Sequence, residues 1–551
     1  MLNFVGPLAR QCRPLHLLAA AASLLFLGTV LRLRPMPRHD PIPLEYYIHN
    51  AQGTEKPFIE TEGLALGEPF TRPANLTNDG DYASWIFSSL RTRFSATLRQ
   101  DEGANLYPNC SLQLERYGGI ALGREAPRFG WQRNKQKSVV SFAINLRNSE
   151  SIVPAQSLAL LETAALLLRY NKVYVSIYEN GSEDKTASLL ADLGAALQAV
   201  GVDGLWIHSS RMQSDFTKQD RTVMLSEIRN LALAPLMPYA TDNNKESTLL
   251  FLNDILTCSS DILELIHQQR LQHASMVVGM DWGTMRRDIR EGEPGYLPTN
   301  GSNYNPSDPP HTQVPRLYDT WVAQGINGDL AYDWATPGGF TPVSDNETWV
   351  VDAFSTQDAS TRQRWLDGRP FPAYSGWSGM AAFNASFFTD QHLRFRSSIF
   401  SGWTGGSSSG ALGPWGRLVS ADGYLHSDCP GASECEYIAH DIWHLLDGKA
   451  RIVLAPQVRT TYSLEDWLIM VETVPVTPQR GIDVHGDDLI DWTGVAIPES
   501  VVCVSSRTED GQLVDTWSES HHRVRLNPWW TLGNDSTQDV ADGHAVDQGV
   551  S

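Results

Sequence analysis

Polar side chains directly follow two apolar runs that are typical of buried strands. Glu179 follows "VYVSIY", and Asn253 and Asp254 follow "LLFL". Because open parallel α/β sheets bind ligands at the carboxyl ends of their strands, these side chains lie where a ligand would be held. Carboxylate oxygens suit hard divalent ions such as Mg²⁺ or Mn²⁺. The sequence therefore predicts a polar ligand site with Asp254 as a metal ligand, although an ordinary Asn-Asp turn explains that pair equally well.

The turn after Glu179 predicts a helix start rather than a phosphate loop. Gly181 is followed by Ser182, Glu183 and Asp184, which suit an N-cap and an acidic first turn that complements the helix dipole. Neither a Walker motif nor a dinucleotide fingerprint is present, and acids at this position would repel a phosphate. Glu179 is therefore the candidate acceptor for base or ribose hydrogens.

A basic residue is predicted on the helix that precedes the second strand end. "SEIRNLAL" places Arg229 beside Asn230. A guanidinium can hold phosphate oxygens through two parallel hydrogen bonds, although most helical arginines are simply solvated.

Short apolar runs alternate with helical patterns from Ser138 onward. "SVVSFAINL", "KVYVSIY", "GLWIHS", "STLLFLND" and "SMVVGMD" predict strands, and four amphipathic segments between them predict helices. This alternation is typical of a mostly parallel sheet covered on both faces. The fold class that it predicts is α/β, of a nucleotide-binding type.

Composition narrows the classes of partner. The 551 residues are 42% hydrophobic and 19% charged, which allows a large core. Lysine and arginine number 43 against 63 acids, for a net charge of -20. This balance argues against a nucleic-acid partner but permits a local basic site.

The N-terminus predicts a membrane anchor and a lumenal body. Residues 15–31 are uncharged and mainly apolar, and no clear small-residue cleavage site follows, so an uncleaved signal anchor is favoured over a cleavable signal peptide. Arginines flank the segment on both sides and barely decide its orientation. Candidate N-glycosylation sites all follow it, which favours a type II protein with a lumenal body; they are Asn75, Asn109, Asn300, Asn346 and Asn534.

In a lumenal body, the cysteines of "CPGASEC", Cys429 and Cys435, are candidates for a small disulfide loop, with a reduced pair as the alternative. The predicted organisation along the chain is a cytosolic tail (1–14), the anchor (15–31), a stem with an N-terminal elaboration (32–135), a catalytic domain (136–462) and a C-terminal extension with a disordered end (463–551).

Eight motifs occur in an order that resembles a known family. They are "VYVSIYENGSEDKT", "EIRNLALAPL", "LLFLNDI", "LYDTWV", "GWSGMAAFNASFF", "FR" at 395–396, "SECEYIAHDIW" and "APQVRTTY". Over roughly residues 138–462 the chain is similar to the fungal α-1,3-mannosyltransferases of the cryptococcal capsule type. The resemblance implies a type II Golgi membrane enzyme of GT-A-like fold, which transfers mannose from GDP-mannose to a mannoside acceptor with retention and the help of Mn²⁺ or Mg²⁺.

The resemblance also implies roles for individual residues. The implied donor contacts are Glu179, Ser182, Arg229, Asn230 and Asn253, and the implied metal ligand is Asp254. The implied catalytic acids are Asp319, Glu434 and Asp441. Trp321 and Trp377 would stack on the acceptor, with core packing as an equal alternative for both.

The chain departs from the expected family pattern on the acceptor side. Gln324 and Gly325 replace an Arg-Asp pair, and Gly376 replaces a cysteine. Two other functions therefore stay open at this point: transfer of a different nucleotide sugar, and sugar binding without catalysis.

Overall fold

The alternation of strands and helices after Ser138 is confirmed. In the computed structural model, the described residues belong to one unit that spans Gly53–Ser551. The structure describes residues 58–76, 78–98, 138–210, 221–240, 247–288, 311–320, 322–331, 340–342, 349–351, 353–396, 432–473, 489–504, 508–509, 512–513 and 521–525.

Central strands of the main sheet, such as Ser138–Leu146 and Ser247–Leu252, carry nearly continuous apolar runs, as expected for strands covered on both faces. The first strands along the chain are β1 (Phe58–Glu62), β2 (Ser138–Leu146), β3 (Asn171–Asn180), β4 (Gly204–Ser210), β5 (Ser247–Leu252), β6 (Met276–Asp288), β7 (His311–Leu317) and β8 (Gln324–Gly325). The later strands are β9 (Phe340–Pro342), β10 (Trp349–Val351), β11 (Phe371–Ser375), β12 (Met380–Asn384), β13 (Ile452–Thr461), β14 (Ser500–Val504), β15 (Thr508–Glu509), β16 (Gln512–Leu513) and β17 (His521–Arg525).

Helices cover the sheet between these strands. They are α1 (Asp79–Leu98), α2 (Val153–Leu167), α3 (Thr186–Val200), α4 (Arg221–Leu233), α5 (Ser259–Leu271), α6 (Ala359–Leu366), α7 (Ser386–Thr389), α8 (Glu434–Leu445) and α9 (Leu464–Thr473). A single 3-10 turn, Ala234–Leu236, follows α4.

The main sheet is mostly parallel. Its order is β1-β4-β3-β2-β5-β12-β6-β13-β11-β8, with β7 paired to β6. β1, β4, β3, β2 and β5 pair in parallel. β12 is antiparallel to both β5 and β6, so β6 and its parallel neighbour β13 run in the same direction as β5.

The strand order reverses direction between β2 and β5. From β2 the chain moves outward to β3 and β4, and then returns to place β5 on the other side of β2. Such a reversal opens a crevice at the carboxyl ends of the two strands, because the connecting helices cover opposite faces of the sheet. The crevice therefore lies beside Asn253 and Asp254, which follow β5.

Two hydrophobic cores lie on the two faces of the sheet. On one face α1, α2, α3 and α5 bury Leu90, Leu158, Leu193 and Ile262 against the strands. On the other face α4 and α8 pack on an aromatic cluster. Each of these large side chains contributes about 1.5–3 kcal/mol by leaving water, so truncating Leu158 to alanine would cost more than any surface change.

The helix after β3 begins later than the sequence pattern predicts. It starts at Thr186 with Lys185 at the N-cap, and Ser182, Glu183 and Asp184 precede it. Asp184 instead accepts hydrogen bonds from the backbone N–H groups of Thr186 and of Glu150. Asp184 therefore joins the loop before this helix to the loop that follows β2, and this use outside the helix explains the error in the predicted boundary.

The predicted membrane anchor, residues 15–31, lies outside the described residues. Among the helices that the structure does describe, none is long and apolar enough to cross a membrane.

Candidate functional site

The turn after β5 is held by backbone contacts at the switch-point crevice. Asn253 donates its backbone N–H to the Gly379 carbonyl oxygen at 2.9 Å, and its own carbonyl oxygen accepts from Gln156 at 2.5 Å. Gly379 has a φ of +78°, and a Cβ there would lie 2.8 Å from Ile255 Cγ2, so only glycine fits this contact. These contacts place Asp254 at the carboxyl end of β5.

Asp254 presents an uncommitted carboxylate in the crevice. Its side chain is partly exposed, and no other residue that the structure describes donates a hydrogen bond to it. Burial raises the pKa of Asp254, while the positive charges of Arg229 and Arg221 oppose that shift. A carboxylate without a hydrogen-bond partner suits a hard oxygen-binding ion.

Asp254 would have to share such an ion with other ligands. Among the described side chains, no group of three or more His, Cys, Asp or Glu residues is placed to hold a metal. Mg²⁺ characteristically binds through one or two carboxylates together with substrate phosphates and water, and that pattern fits Asp254. The predicted metal role of Asp254 therefore stays a prediction that the donor chemistry fits.

Arg229 is buried in an internal ion pair. Its Nε lies 3.1 Å from Glu434 Oε1, and its Nη1 lies 2.9 Å from Asn253 Oδ1. The side chains of Arg229 and Glu434 are only 5% and 2% exposed. Although burial opposes it, the nearby Cys435 and Glu434 raise the pKa of the Arg229 guanidinium, which stays charged.

This geometry corrects two predicted roles. Arg229 is almost fully buried: Glu434 takes its Nε, Asn253 takes its Nη1, and its guanidinium lies 4.4 Å from the Trp377 ring centroid. The Glu434 side chain is only 2% exposed and neutralises Arg229. The pair instead ties α8 to the end of β5, and thereby positions Asn253 and Asp254.

Trp377 is a core residue rather than a sugar platform. Its side chain is 0% exposed and packs 5.4 Å from the Phe395 ring and 5.5 Å from the Phe251 ring. The predicted stacking on an acceptor is therefore wrong, and the alternative of core packing is confirmed. Trp321, the other predicted platform, lies outside the described residues.

Asn230 holds the backbone rather than a ligand. Its Nδ2 donates to the Phe395 carbonyl oxygen at 2.8 Å, and its Oδ1 accepts from the Phe395 N–H at 2.9 Å. Both ends of the amide are used, so the predicted donor contact would have to compete with this clamp.

Asp441 forms a buried salt bridge on α8. Arg396 donates to both of its oxygens, at 2.9 and 2.8 Å, and stacks over the Tyr437 ring at 4.2 Å. The Asp441 side chain is 2% exposed. This carboxylate is neutralised by the Arg396 fork, so the structure corrects its predicted catalytic role to that of a residue that positions Arg396.

Asp319 remains at the crevice with a perturbed carboxyl group. Its backbone N–H donates to Asp281 Oδ1 at 3.1 Å, and Asp281 is buried at the end of the β6–β7 pairing. Burial raises the pKa of Asp319 to about 6. The backbone N–H of Val322 and the charges of Arg229 and Arg221 oppose this shift, whereas the charge of Glu434 adds to it. Burial and the nearby Asp319 also raise the pKa of Asp281 well above its ordinary value. One carboxyl of this pair therefore holds a proton at pH values where isolated acids are ionised.

Four residues at the crevice were missed by the sequence analysis. Arg221 is exposed at the start of α4, and its charge acts on both Asp254 and Asp319. Tyr462 lies beside Asn253, and burial followed by the charge of Asp281 raises its pKa well above the ordinary value. The other two are Asp281 and Tyr318. Tyr318 and Tyr462 lie within motifs quoted above, and Asp281 ends the predicted strand "SMVVGMD", so these three carried a signal; Arg221 carried none.

Glu179 and Ser182 are used within the loop that follows β3. Glu179 accepts from the Ser182 backbone N–H and from Ser209 Oγ, both at 2.5 Å, and is only 1% exposed. Ser182 Oγ accepts from the Asn148 N–H at 2.8 Å. Their donor contacts stay predictions, because in this arrangement both side chains stabilise the loop.

The predicted disulfide between Cys429 and Cys435 is wrong. Cys435 is a free, buried thiol at the start of α8, and its Sγ lies 3.5 Å from Glu434 Oε1. Burial raises the pKa of this thiol well above its ordinary value. Cys258, in contrast, is disulfide-bonded. The sequence could not show that helix α8 turns Cys435 inward, toward the Arg229–Glu434 pair.

Of the predicted glycosylation sites, Asn75 is exposed in a turn, and its modification stays a prediction. The other four predicted sites, Asn109, Asn300, Asn346 and Asn534, lie outside the described residues. Cys429 also lies outside them.

The departures from the family pattern are accommodated in the core. Gln324 is 0% exposed and donates from Nε2 to Glu436 Oε1 at 3.2 Å and to the Val502 carbonyl at 3.1 Å. A Cβ at Gly325 would lie 2.1 Å from the Gln357 side chain. These positions face other protein groups, so the expectation that they alter acceptor contacts directly finds no support in the geometry.

The chain is similar to known proteins over the segment that contains these strand ends. The family model described as Cryptococcal mannosyltransferase 1 matches residues 139–408. Alpha-1,3-mannosyltransferase CMT1 of Cryptococcus neoformans var. neoformans is 27% identical over 402 residues, which cover 70% of this chain and 71% of that protein. Over residues 139–408 the chain matches the cryptococcal mannosyltransferase family, which confirms the resemblance drawn from its motifs. The two matches identify a glycosyltransferase.

Solved structures show weaker likeness to this family member. Staphylococcus aureus TarS (residues 1–349) matches with a TM-score of 0.26 and 11% identity over 61% of this chain. GalNAc-T7 with UDP, GalNAc and Mn²⁺ matches with a TM-score of 0.28 and 12% identity over 75% of this chain. The matches span 65% and 61% of those chains, under two thirds of their length, and neither likeness is close enough to support an argument.

Proposed function

We propose that this chain transfers mannose from GDP-mannose to a mannoside acceptor in α-1,3 linkage, with retention of configuration. The observation that carries the proposal is the family match over residues 139–408, which includes β2, β5 and the crevice between them. The relative from Cryptococcus is named as an α-1,3-mannosyltransferase, which supports the sugar and the linkage. The motif resemblance supports the donor and a GT-A-like form of the α/β fold.

On the donor side, two groups face the crevice. Asp254 supplies an uncommitted carboxylate as ligand to Mn²⁺ or Mg²⁺, and Arg221 supplies an exposed positive charge near it. A bound divalent ion neutralises the charge of a leaving diphosphate. Arg229 acts indirectly, because it holds Asn253 and thereby the turn that carries Asp254.

On the acceptor side, Asp319 is the partly exposed carboxyl group that remains available. In transfer, the bond from the anomeric carbon to the diphosphate breaks, and a bond to the acceptor oxygen forms. The hydroxyl proton of the acceptor passes to the Asp319 carboxylate. A base whose pKa lies near 6 is well matched to this task at neutral pH.

We also propose that the protein works in the Golgi lumen, in the synthesis of cell-wall or capsule polysaccharide or of glycans. The apolar segment 15–31 would anchor it as a single-pass type II protein. Protease added to sealed microsomes should leave the body intact, and endoglycosidase should reduce its apparent mass. Digestion from outside without a mass change would contradict this topology.

The activity is tested with full-length protein in detergent. A panel of GDP-mannose, UDP-glucose and UDP-xylose is offered with α-mannobiose and Mn²⁺, and the product linkage is read by NMR. We expect transfer from GDP-mannose alone and a new α-1,3 linkage. Preference for another donor would mean a different nucleotide-sugar transferase, and no transfer or hydrolysis with any donor would mean a non-catalytic family member.

The metal role is tested with Asp254→Asn. Calorimetry should show Mn²⁺-dependent GDP binding in the wild type and a loss of at least about tenfold in affinity in the variant, since the charge of the carboxylate ligand is removed. Asp390→Asn, an exposed acid beyond α7, is the matched control. Unchanged metal-dependent affinity in a folded Asp254→Asn protein would rule Asp254 out as the ligand.

A further inference from the structure

One large aromatic side chain is exposed beside the crevice. Tyr318 is 55% exposed, whereas Trp377 and Phe395, the aromatic side chains around Arg229, are buried. A single exposed tyrosine is common on protein surfaces and carries no meaning by itself. The position of this one is informative, because it immediately precedes Asp319.

The backbone of Tyr318 is fixed by the same residue that fixes Asp319. The Tyr318 N–H donates to the Asp281 carbonyl oxygen at 3.0 Å, and the Asp319 N–H donates to Asp281 Oδ1 at 3.1 Å. Asp281 therefore sets the tyrosine and the candidate base in one rigid relation at the end of the β6–β7 pairing.

The ring of Tyr318 is supported from below by strand β6. A Cβ at Gly283 would lie 3.3 Å from Tyr318 Cδ2, so the absence of a side chain at Gly283 leaves the ring in close contact with the strand. With its lower surface on the strand, the ring keeps much of its remaining surface open to solvent.

A second ring connects Tyr318 to the donor edge of the crevice. Its centroid lies 5.0 Å from that of Tyr462, with an angle of 47° between the planes. Tyr462 in turn lies beside Asn253, which precedes Asp254. The exposed ring is thus one side chain away from the turn that carries the proposed metal ligand.

We propose that Tyr318 is the platform on which the pyranose ring of the acceptor lies during transfer. This inference rests on the proposed function of the crevice. A mannose ring has one face lined by C–H groups, which carry a small positive charge and pack favourably on the negative face of an aromatic ring. Stacked on Tyr318, the sugar has its hydroxyl groups beside Asp319.

The platform takes the role that the sequence predicted for Trp377, and it makes a specific demand on the side chain. Packing on a ring face needs the aromatic ring but not the phenolic hydroxyl. Phenylalanine at position 318 should therefore serve as well as tyrosine, whereas alanine should not.

The test separates acceptor binding from donor use. Tyr318→Ala, Tyr318→Phe and the control Tyr170→Ala are compared in full-length protein, with α-mannobiose as acceptor and GDP-mannose as donor. Tyr170 is also exposed, at 37%, but precedes β3 at the opposite edge of the sheet. The measurements are KM for the acceptor, KM for the donor, and hydrolysis of GDP-mannose without acceptor.

We expect Tyr318→Ala to raise the acceptor KM about tenfold, equivalent to about 1.4 kcal/mol, with donor KM and hydrolysis within about twofold of wild type. Tyr318→Phe and Tyr170→Ala should match the wild type. An unchanged acceptor KM in Tyr318→Ala would overturn the inference. So would an equal loss in Tyr318→Phe, or a parallel rise in donor KM.

Failure of the proposed function gives a different pattern. If the wild type transfers no mannose, saturation-transfer NMR with α-mannobiose decides the question of binding alone. Binding by the wild type that is lost in Tyr318→Ala and kept in Tyr318→Phe would support the platform without catalysis. No binding by the wild type, or equal binding by all variants, would overturn it.

Discussion

The ends of β3 and β5 lie at the same edge of the sheet, but their polar side chains are satisfied in different ways. After β3, Glu179 bonds to Ser182 and to Ser209 of the neighbouring strand, so the loop is closed by residues near it. After β5, Asn253 is held by Arg229 of α4, which is itself paired with Glu434 of α8.

This difference separates a structural loop from a site. In the β3 loop the Glu179 carboxylate is buried and is used by Ser182 and Ser209. The internal contacts of the crevice come instead from segments that are distant in the chain, and Asp254 and Asp319 lie partly exposed at its edge. Disruption of a contact in the crevice should therefore affect both stability and function, whereas disruption in the β3 loop should affect stability alone.

The largest effect is expected from Arg229→Met. Removing the guanidinium leaves Glu434 buried without its partner, which should cost about 3–5 kcal/mol of unfolding free energy, as measured by urea denaturation. Transfer should fall at least about a hundredfold, because Asn253 loses the contact that holds the turn before Asp254.

The double variant Arg229→Met/Glu434→Leu sharpens this prediction. It replaces a buried ion pair with apolar side chains, so we expect much of the stability to return while transfer stays low. Recovery of transfer together with stability would mean that Arg229 supports the fold only, and the contrast between the two regions would be lost.

An intermediate effect with a defined pH dependence is expected at Asp319. Its pKa is raised to about 6 in the folded protein, above the ordinary value of an unfolded aspartate. The folded state therefore binds more protons between these values, and the contribution of Asp319 to stability is present at low pH and is lost as the pH rises through 6. Relative to wild type, Asp319→Asn should gain about 1–2 kcal/mol of unfolding free energy between pH 5 and pH 8.

Asp358→Asn is the control for this measurement. Asp358 caps α6 by accepting from the Ser360 and Thr361 N–H groups, and these hydrogen bonds lower its pKa. The cost of losing this cap should be about 1 kcal/mol and should not differ between pH 5 and pH 8. The same constant cost for Asp319→Asn would show that its carboxyl is not perturbed by the crevice.

The smallest effect on function is expected from Glu179→Gln. The amide weakens the hydrogen bonds to Ser182 and Ser209, at a cost of about 1–2 kcal/mol in unfolding free energy. The KM for GDP-mannose should stay within about twofold of wild type, because the Glu179 side chain contacts only Ser182 and Ser209 among the hydrogen-bonding groups of the described loop. A tenfold rise in donor KM without a stability change would restore Glu179 as a donor contact and break the comparison.

Much of the fold followed from the sequence alone. Burial on both faces of a parallel sheet imposes continuous apolar runs, and burial of one helix face imposes a helical period, so both patterns are visible in any short window of the chain. The strands and helices after Ser138 and the polar residues at the strand ends were therefore predictable. The ordered motifs, which identified the family, were equally local.

The roles of the charged and aromatic residues were decided only by the tertiary structure. Glu434, Asp441 and Asp319 look alike in the sequence, but the first two each form a salt bridge with an arginine in the structure and Asp319 does not. The partners Arg229 and Glu434 come from separate helices, and no local pattern specifies which helices meet. Because the energy of a buried charge depends on its partner and its distance from water, the sequence named the candidate acids, and only their three-dimensional surroundings selected Asp319 among them.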